Sequence, residues 1–511
     1  MDLPVTLLIL VSIVALVGLV SRSRRNRLPP GPKGIPLFGN IFDVPKSHEW
    51  LTYAKWSRQY GSDLIYLNFL GTPVVVVNSA EHATELFEKR SSLYSDRGKS
   101  IMLSELVGWG FDFAFMGYGD EWREHRRLFH QHFNGQVTVK YQPESAREVR
   151  ALLPHLLEEP EDYMQHMRHM AGSLILSVMY GIKPSRKDDP YIAAAEEAVV
   201  ALNQCANAGA YLVDYLPALQ YLPSWFPGAG FKRQAAIWRI PTTKMATAPF
   251  AAVKRGLEEG TAPISVVSLL LSDLESKGGN AHREAVIRDV AGAAYAGGAD
   301  TSVSVLGTFL LAMLLYPEVQ RKAQAELDRV VDEGRLPGYE DETSLPYITA
   351  ILWEVLRWRP VAPLAVPHRL SKDDEYLGYH LTAGTIVIGN VWAILHDESR
   401  YPDPETFNPD RYLTEDGELD PTAPNPEEFA FGFGRRICPG RYLSISSVWL
   451  TVASILTVFD LDMPEDETGR KVQPSDVYTT GLVSYPEPFR CTFKPRSPQS
   501  ELLIHAIAEL E

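Results

Sequence analysis

One cysteine, Cys438, lies in a glycine-rich segment whose residue types could bind a metal ion or a flat cofactor. Arg436 precedes it by two positions and Phe431 by seven, and Gly434 and Gly440 bracket it. A thiolate that binds a metal needs an electropositive, shielded pocket to stay ionised, and a guanidinium can bind a carboxylate through two parallel hydrogen bonds. Glycine also lets the backbone come close to a flat cofactor. For a cysteine taken alone, the competing interpretation is a buried structural residue.

The complete spacing favours cofactor binding. The pattern FxxGxRxCxG resembles the haem-thiolate signature of the cytochrome P-450 superfamily, in which a cysteine thiolate is the axial ligand of the haem iron. The resemblance implies that the cofactor is haem (heme, iron protoporphyrin IX) and that Cys438 is its metal ligand. It also implies that Phe431, Gly434, Arg436 and Gly440 contact the haem.

A long helical pattern over residues 284–316 contains a second set of unusual residues. Gly297 and Gly298 are adjacent, and each glycine inside a helix costs about 1 kcal/mol relative to alanine. A carboxylate in an apolar helix, here Asp300, is costly unless it is paired or solvated. Oxygen activation would use these features, because the glycines leave room for a diatomic molecule, the Thr301 hydroxyl can hydrogen-bond it and Asp300 can supply protons. A kinked core helix is the alternative.

The segment resembles the oxygen-binding motif [AG]GxDT of the same family. The resemblance implies that Thr301 and Asp300 are catalytic residues. It also argues against haem-thiolate enzymes that rearrange or dehydrate a substrate without O2, because those enzymes need no proton relay.

Two further motifs resemble conserved features of the family. Glu354 and Arg357 are three residues apart on one predicted helix face, and the neighbouring Trp353 suggests that the pair is buried. A buried ion pair needs additional partners. The resemblance implies that Arg411 completes a structural triad, which would hold the loop that presents Cys438.

The remaining haem-binding candidates are Trp122 and Arg126, in the order WxxxR, and His368, which follows a predicted strand. In the family, residues at these positions and at that of Arg436 bind the haem propionates. The resemblance implies this role here, although a lone histidine such as His368 is equally well explained as a packing residue.

The elements that must position these residues are mainly helical. The chain has 511 residues, of which 45% are hydrophobic and 22% charged, as in an ordinary globular protein. The patterns predict helices over residues 50–61 and 81–90 and over most of residues 121–335. They predict two strands at residues 64–69 and 73–77, and a second small β cluster at residues 376–379 and 385–388. We therefore predict a mainly α fold with small β-sheets, and the resemblance implies the cytochrome P-450 fold in a single haem-thiolate catalytic domain over residues 41–511.

The first twenty residues predict a membrane anchor. Leu3 to Val20 is about 18 apolar residues long, close to the minimum for a transmembrane helix. Arginines follow the run rather than precede it, which is unlike a cleavable signal peptide and leaves the rest of the chain on the cytosolic side. We expect a single-pass transmembrane anchor at residues 1–20, a basic, proline-rich hinge at residues 21–40 and location in the endoplasmic reticulum membrane. A buried core helix at the terminus is the alternative.

Composition excludes two other classes of protein. Three cysteines, an odd number at wide spacing, argue against a disulfide framework and for a reducing compartment. A net charge of -15 argues against nucleic acid as a partner.

The resemblance implies monooxygenation, in which one oxygen atom of O2 enters the substrate. No GxGxxG motif follows a predicted strand, so electrons have to come from a separate protein, and the family implies an NADPH–cytochrome reductase. Arg435 and Arg441 beside the cysteine, with Arg123 and Arg127 on the helix of Arg126, are candidates for its docking surface. The alternative is a set of solvated arginines. A membrane-tethered haem sensor without turnover is an alternative function from another class.

The sequence says less about the substrate than about the fold, the cofactor or the reaction. The segments expected to line the pocket, residues 102–115, 295–301, 362–366 and 479–482, are mostly apolar with several aromatic residues, which suits a small hydrophobic molecule. The sequence of the chain as a whole, especially residues 397–404, resembles fungal microsomal enzymes of secondary metabolism. By that analogy we expect a terpenoid substrate, with aromatic and indole compounds as the alternative.

Overall fold

The structure is a computed structural model that describes residues 28–206 and 210–509. The predicted transmembrane anchor, residues 1–20, and residues 21–27 of the predicted hinge lie outside the described residues. Most of the described chain is helical. In chain order the α-helices are α1 (Glu49–Tyr60), α2 (Ala80–Ala83), α3 (Ser91–Tyr94), α4 (Asp120–Phe133), α5 (Gln142–Glu158), α6 (Tyr163–Tyr180), α7 (Pro190–Cys205), α8 (Gly230–Glu259), α9 (Val266–Ser276), α10 (Ala281–Leu315), α11 (Pro317–Val330), α12 (Pro346–Trp358), α13 (Val391–Leu395), α14 (Glu427–Ala430), α15 (Arg441–Val458) and α16 (Pro498–Ala508).

The strands are short. They are β1 (Leu64–Phe69), β2 (Thr72–Val77), β3 (Asp96–Arg97), β4 (His368–Arg369), β5 (Asp374–Tyr376), β6 (Tyr379–Leu381), β7 (Ile386–Gly389), β8 (Phe459–Asp462) and β9 (Thr492–Pro495). The mainly helical fold with small sheets is therefore confirmed for the described residues.

Helix α10 forms the centre of the molecule and carries the predicted oxygen-binding residues. It begins three residues before the predicted start, because the Asn280 side chain accepts a hydrogen bond from the Arg283 N–H and caps the helix. It ends before Pro317, which starts α11. Most of its residues are buried, and it packs against α6, α8, α4 and α15. A helix that is apolar all round belongs in a protein core.

Two helices among the described residues, α10 and α15, are long and apolar enough to cross a membrane by length and composition. Their apolar stretches are 83% and 67% buried inside the protein, so packing in the core accounts for their composition.

The main sheet has the strand order β1-β2-β7-β4-β3. The predicted strands β1 and β2 are confirmed to within one residue, and they form an antiparallel hairpin whose turn contains Gly71 at a φ of 92°. In β3 and β4, Arg97 lies directly opposite His368. This pairing brings together two residues that are far apart in the sequence.

One local prediction was wrong, and a second was right about the helix but not about its type. The predicted second β cluster is two separate units, because β5 and β6 form their own hairpin while β7 pairs with β2 and β4 in the main sheet. β7 is a continuous apolar run, which is typical of a central strand. The predicted helix over residues 81–90 is confirmed as helical, but it is α-helical only in α2. Residues 84–89 form a wider π-helix, after which the Arg90 N–H donates to the Glu85 carbonyl.

Candidate active site

The site is a cavity of about 340 Å³ between α10 and the segment that carries Cys438. Cys438 follows a 3₁₀ turn, Gly434–Arg436, and lies three residues before Arg441, the first residue of α15. Its N–H donates to the Phe431 carbonyl at 2.7 Å, which closes the loop. Gly434 has a φ of +50°, and a Cβ there would lie 2.1 Å from the carbonyl oxygen of Phe87. Glycine at 434 is therefore required by contact with Phe87, whereas Gly440 borders the cavity beside Cys438.

The groups around the Cys438 thiol have opposing effects on its pKa. Burial raises the pKa of Cys438, while the Gly440 N–H and the cations Arg126 and Arg441 act to lower it. Coordination to a metal ion deprotonates a thiol outright. The two cations and the backbone N–H therefore favour the Cys438 thiolate, and binding of a metal ion would complete the deprotonation of the thiol.

Arg436 and Arg126 line the cavity and hold the loop in place. The Arg436 guanidinium donates to the carbonyls of residues 95, 113 and 116 at 2.8 to 3.1 Å, and it lies 4.4 Å from the centre of the Trp122 ring. Arg126 donates to the Ile437 carbonyl at 2.7 Å. Burial lowers the pKa of each guanidinium to about 10. Both groups remain charged at neutral pH.

His368 also lines the cavity and is 2% exposed. Its Nδ1 lies 2.6 Å from the Tyr94 carbonyl, which can only accept, so Nδ1 carries a proton. Burial, with the neighbouring Arg97, holds the pKa of His368 well below its usual range, so the ring is neutral. Its Nε2 is then an acceptor, and it can donate to a carboxylate only after taking up a proton.

The sequence interpretation missed Arg97, a further cation at the cavity. It is 7% exposed and donates to the carbonyls of Ala114, Val366 and Pro367 at 2.6 to 3.0 Å. Burial and the nearby Arg436 lower the pKa of Arg97, but a guanidinium stays protonated in proteins. The sequence gives no local signal for this residue, because its position depends on the pairing of β3 with β4.

These cations fit a cofactor that carries carboxylates. Among residues 28–206 and 210–509, no carboxylate lies within ion-pair distance of Arg97, Arg126 or Arg436. Buried charges are normally paired. The propionates of a haem, with its iron on the Cys438 sulfur, would supply the missing partners, so the donor set fits the cofactor that the sequence resemblance implies.

On α10, Thr301 and the two glycines border the same cavity. The Thr301 hydroxyl donates to the Gly297 carbonyl at 2.7 Å. A Cβ at Gly297 would meet nothing within 4 Å, so this glycine leaves open space. A Cβ at Gly298 would lie 2.5 Å from the Ile175 side chain, so this glycine allows close packing of α10 on α6. The adjacent glycines therefore have different roles, of which only the first leaves room for a small molecule.

Asp300 is 8% exposed and is paired on both carboxylate oxygens. Oδ1 accepts a hydrogen bond from Arg168 Nε at 3.2 Å, and Oδ2 accepts one from the Tyr485 hydroxyl. Sequence reasoning found neither partner, since Arg168 and Tyr485 come from distant segments with no motif around them.

The predicted triad residues lie in contact. Glu354 accepts hydrogen bonds from Arg357 at 2.7 and 2.9 Å and from Arg411 at 3.2 Å, and also from the Tyr412 hydroxyl and the Asn408 N–H. Glu354 and Arg357 are fully buried. The cluster ties α12 to the loop over residues 402–412 and does not line the cavity.

The predicted pocket segments contribute unequally to the cavity wall. Residues 112–115 line it, but residues 102–111 do not and pack largely into the core. Parts of the segments 295–301, 362–366 and 479–482 line it as predicted. Apolar residues of α6 and α7, which the sequence interpretation left out, also contribute: Met170, Ala171, Leu174, Ile175, Val199 and Leu202.

Comparison with known proteins gives a consistent result. The family model described as cytochrome P-450 matches residues 29–493. A tryptamine 4-monooxygenase of Psilocybe cyanescens is 44% identical over 481 residues, which are 94% of this chain and 95% of that protein. Cytochrome P-450 monooxygenase 98 of Postia placenta is 46% identical, with 93% and 92% covered, and cytochrome P-450 monooxygenase ple1 of Rhodocybe pseudopiperita is 44% identical, with 95% and 92% covered.

Proposed function

Because the chain belongs to the cytochrome P-450 family of monooxygenases, we propose that it inserts one oxygen atom of O2 into a small aromatic compound of secondary metabolism, an indole in the first instance. Members of this family are oxidoreductases that bind haem through a cysteine thiolate. The observation that carries the proposal is the cavity lined by both Cys438 and α10, with buried Arg97 and Arg436 and half-buried Arg126 around it.

The bound haem supplies the oxygen chemistry, whose balance is substrate, O2, two electrons and two protons giving hydroxylated product and water. The protein positions the reactants and supplies the protons. Cys438 would hold the iron, and Arg97, Arg126 and Arg436 would hold the propionates. The open space beside Gly297 would admit O2, the Thr301 hydroxyl would be a hydrogen-bond donor at that space, and Asp300 would be the next proton donor.

An indole that carries an amine is supported by a relative and by one cavity residue. The Psilocybe cyanescens relative is named for tryptamine, an indole with an ethylamine side chain. Two carboxylates of the described residues line the cavity, and Asp300 is already paired with Arg168. The other, Asp112, is 7% exposed, and within the described chain the only hydrogen bond that its carboxylate accepts comes from the Ala114 N–H at 2.8 Å. A protonated amine would give this carboxylate a charged partner.

The relatives named above do not support the terpenoid that the sequence led us to expect first. A terpenoid is therefore the second candidate, and part of the cavity wall favours it. The cavity residues of α6 and α7 and those at 361–366 are almost all aliphatic, which suits a saturated hydrocarbon skeleton.

The test is turnover of a substrate panel. Full-length protein in membranes, with an NADPH–cytochrome reductase, is incubated with tryptamine, indole, 3-ethylindole and a set of terpenes under ¹⁸O-labelled O2. We expect one labelled oxygen atom in the product of an indole. A labelled terpene product alone would favour the second candidate. Haem binding and reduction without any product would favour the haem sensor, and product without label would exclude monooxygenation.

The electron donor is proposed to dock at the arginines beside the cysteine loop. Tyr118 brings two of them together, since the Arg435 guanidinium bonds to its hydroxyl and Arg123 lies 5.3 Å from its ring centre. Arg441 donates to the Cys438 carbonyl at 3.3 Å. We name these three arginines, together with Arg127, which is exposed on the same helix as Arg123, the reductase patch.

Attachment to the endoplasmic reticulum membrane through residues 1–20 also remains a proposal. Many of the exposed large apolar side chains lie in two stretches, residues 35–42 and 212–240, within which the most exposed are Leu37, Phe42, Tyr221, Trp225 and Ile240. The stretches are neighbours, because the Tyr215 ring packs edge-on against Phe69 at 6.2 Å and Phe69 bridges to Gly39. Exposed apolar surface of this kind suits contact with lipid. Retention of the full-length protein in carbonate-washed microsomes would support an anchor, and release would exclude it.

A further inference from the structure

A second, much smaller pocket lies beside α10, between that helix and helices α6 and α7. Its volume is about 10 Å³, the space that one water molecule needs. Arg168 and Gly172 line it from α6, Glu196 lines it from α7, and Tyr295 and Asp300 line it from α10. The pocket is small but rich in polar groups.

Asp300 is the one described residue that lines both this pocket and the large cavity. Its carboxylate therefore lies at the wall between them. The Tyr295 hydroxyl is fully buried and has no hydrogen-bond partner within the described chain. A buried hydroxyl of this kind normally bonds to an ordered water. The pocket thus has the size, the carboxylate and the unpaired hydroxyl that a bound water requires.

Glu196 lies between this pocket and the outside of the protein. It is half-buried, and the next residue, Glu197, is exposed. The charged and titratable groups that face Glu196 are Arg168 on α6, Asp300 and Tyr295 on α10, and Glu197 on its own helix. Burial raises the pKa of Glu196, Asp300 and Glu197 raise it further, and Arg168 opposes them. A carboxyl with a raised pKa keeps its proton closer to neutral pH and can release it to a neighbour.

We propose that Glu196, one water molecule in this pocket and Asp300 form the path by which protons pass from solvent to the oxygen-binding side of α10. The proposal rests on the proposed monooxygenase function, which consumes two protons for each oxygen atom inserted. In each transfer the Glu196 O–H bond breaks as the water accepts its proton, the water passes one of its own protons to the Asp300 carboxylate, and Glu196 regains a proton from solvent. Arg168 and Tyr485 are positioning residues, because they hold the Asp300 carboxylate at the wall.

Two substitutions interrupt this path in different ways. Glu196→Gln keeps the size of the side chain and removes its acid, and Glu196→Asp should restore part of the function. Glu197→Gln is the matched control, since it makes the same charge change one residue away on the exposed side. Gly172→Ala adds a methyl group to the pocket, where its Cβ would lie 3.5 Å from the nearest Ile192 atom, an ordinary contact. This variant should fold normally and displace the water.

The main measurement compares two ways of driving the enzyme with a substrate that the panel identifies. NADPH-driven turnover takes protons from solvent, whereas hydrogen peroxide brings its own oxygen, electrons and protons. We expect Glu196→Gln and Gly172→Ala to lower NADPH-driven product formation about tenfold and to enlarge the effect of D2O on that rate. Peroxide-driven product formation should stay at the wild-type level. Glu197→Gln should match the wild type in both assays, and the double variant should be no slower than the slower single variant.

A crystal structure supplies a readout that is independent of turnover. We expect an ordered water bonded to the Tyr295 hydroxyl and Asp300 in the wild type and no water there in Gly172→Ala. Glu196→Gln with a wild-type NADPH-driven rate and isotope effect would overturn the path. Equal loss with NADPH and with peroxide would also overturn it, because the residue would then have a structural role. Failure of the wild type to form product with either oxidant would instead overturn the proposed function.

Discussion

Cys438 is the residue on which the proposed chemistry depends most directly. Cys438→Ser should abolish the thiolate-type Soret band of the reduced carbon monoxide complex, because a serine hydroxyl does not provide the anionic sulfur ligand. The spectrum of purified protein measures this. Cys205 and Cys491 are buried away from the cavity, so their serine variants are the matched controls and should keep the band. Persistence of the band in Cys438→Ser would exclude this residue as the ligand.

Arg97 should contribute to haem retention even though no motif identifies it. Arg97→Leu removes a buried cation that lines the cavity and has no carboxylate partner in the described chain. We expect faster transfer of haem to an excess of apomyoglobin. Arg123→Leu is the control, since Arg123 is exposed and pairs with Asp120 at the surface. Equal transfer rates in Arg97→Leu and the wild type would contradict a role in holding the propionates.

Asp112 should make amine binding depend on pH. Burial raises the pKa of Asp112 to about 6 against the opposing effects of the Ala114 N–H and His125. The carboxyl is therefore ionised above about pH 6 and neutral below it, so tryptamine should bind more weakly as the pH falls through that value. Asp112→Asn keeps an oxygen for the Ala114 N–H, and it should weaken tryptamine binding at pH 7.5 while leaving 3-ethylindole binding unchanged. Spectral titration of both compounds measures this, and an equal effect on both would exclude Asp112 as the amine partner.

At the scale of residues, local motifs in the sequence identified residues of the site. Residues that reach the site through contacts between distant segments could not be identified in this way. The Cys438 segment could be identified because its residues lie within ten positions and the loop geometry is local. Arg97 and Tyr485 reach the site through strand pairing and through a loop near the C-terminus. Such positions depend on the whole fold, so a single sequence gives no signal for them.

At the scale of elements, the buried Glu354 cluster joins α12 to the loop over residues 402–412. Glu354→Gln leaves Arg357 buried without a full countercharge, which should lower the free energy of unfolding by about 3–5 kcal/mol. Chemical denaturation of the haem-bound protein measures the change. Asp120→Asn is the control, because its ion pair with Arg123 has the same spacing but lies at the surface, and it should change stability far less. Equal effects of the two variants would contradict a structural role for the cluster.

Among the elements, the long helix and the first hairpin could be predicted because their periodicity and turn residues are local. The 102–111 segment was wrongly placed at the cavity. Apolar residues in this segment are compatible with a pocket wall and with the protein core. The structure decides for the core, because Trp109 and its neighbours pack there. The pairing of β7 with β2 joins segments about three hundred residues apart, which no local pattern encodes.

At the scale of the whole molecule, net charge and local charge have opposite signs. The chain carries a net charge of -15, but the reductase patch is positive. Arg123→Glu with Arg127→Glu should slow reduction by the reductase at low salt, and the defect should shrink as salt screens the interaction. Stopped-flow reduction measures this, with substrate-induced spectral shifts unchanged.

The matched control for this variant is Lys244→Glu with Arg255→Glu, which makes the same charge change at exposed positions of α8. The control should be reduced at the wild-type rate. Wild-type reduction of the Arg123/Arg127 variant would exclude this face as the docking surface.

The buried cations also affect how the protein must be produced in a cell. Until haem binds, Arg97, Arg126 and Arg436 repel one another in a confined space, and binding of haem stabilises the folded chain by mass action. For a newly made chain, haem binding therefore competes with degradation. The yield of folded protein should follow the host's haem biosynthesis, so that feeding a haem precursor rescues the wild type from proteolysis more effectively than it rescues Cys438→Ser.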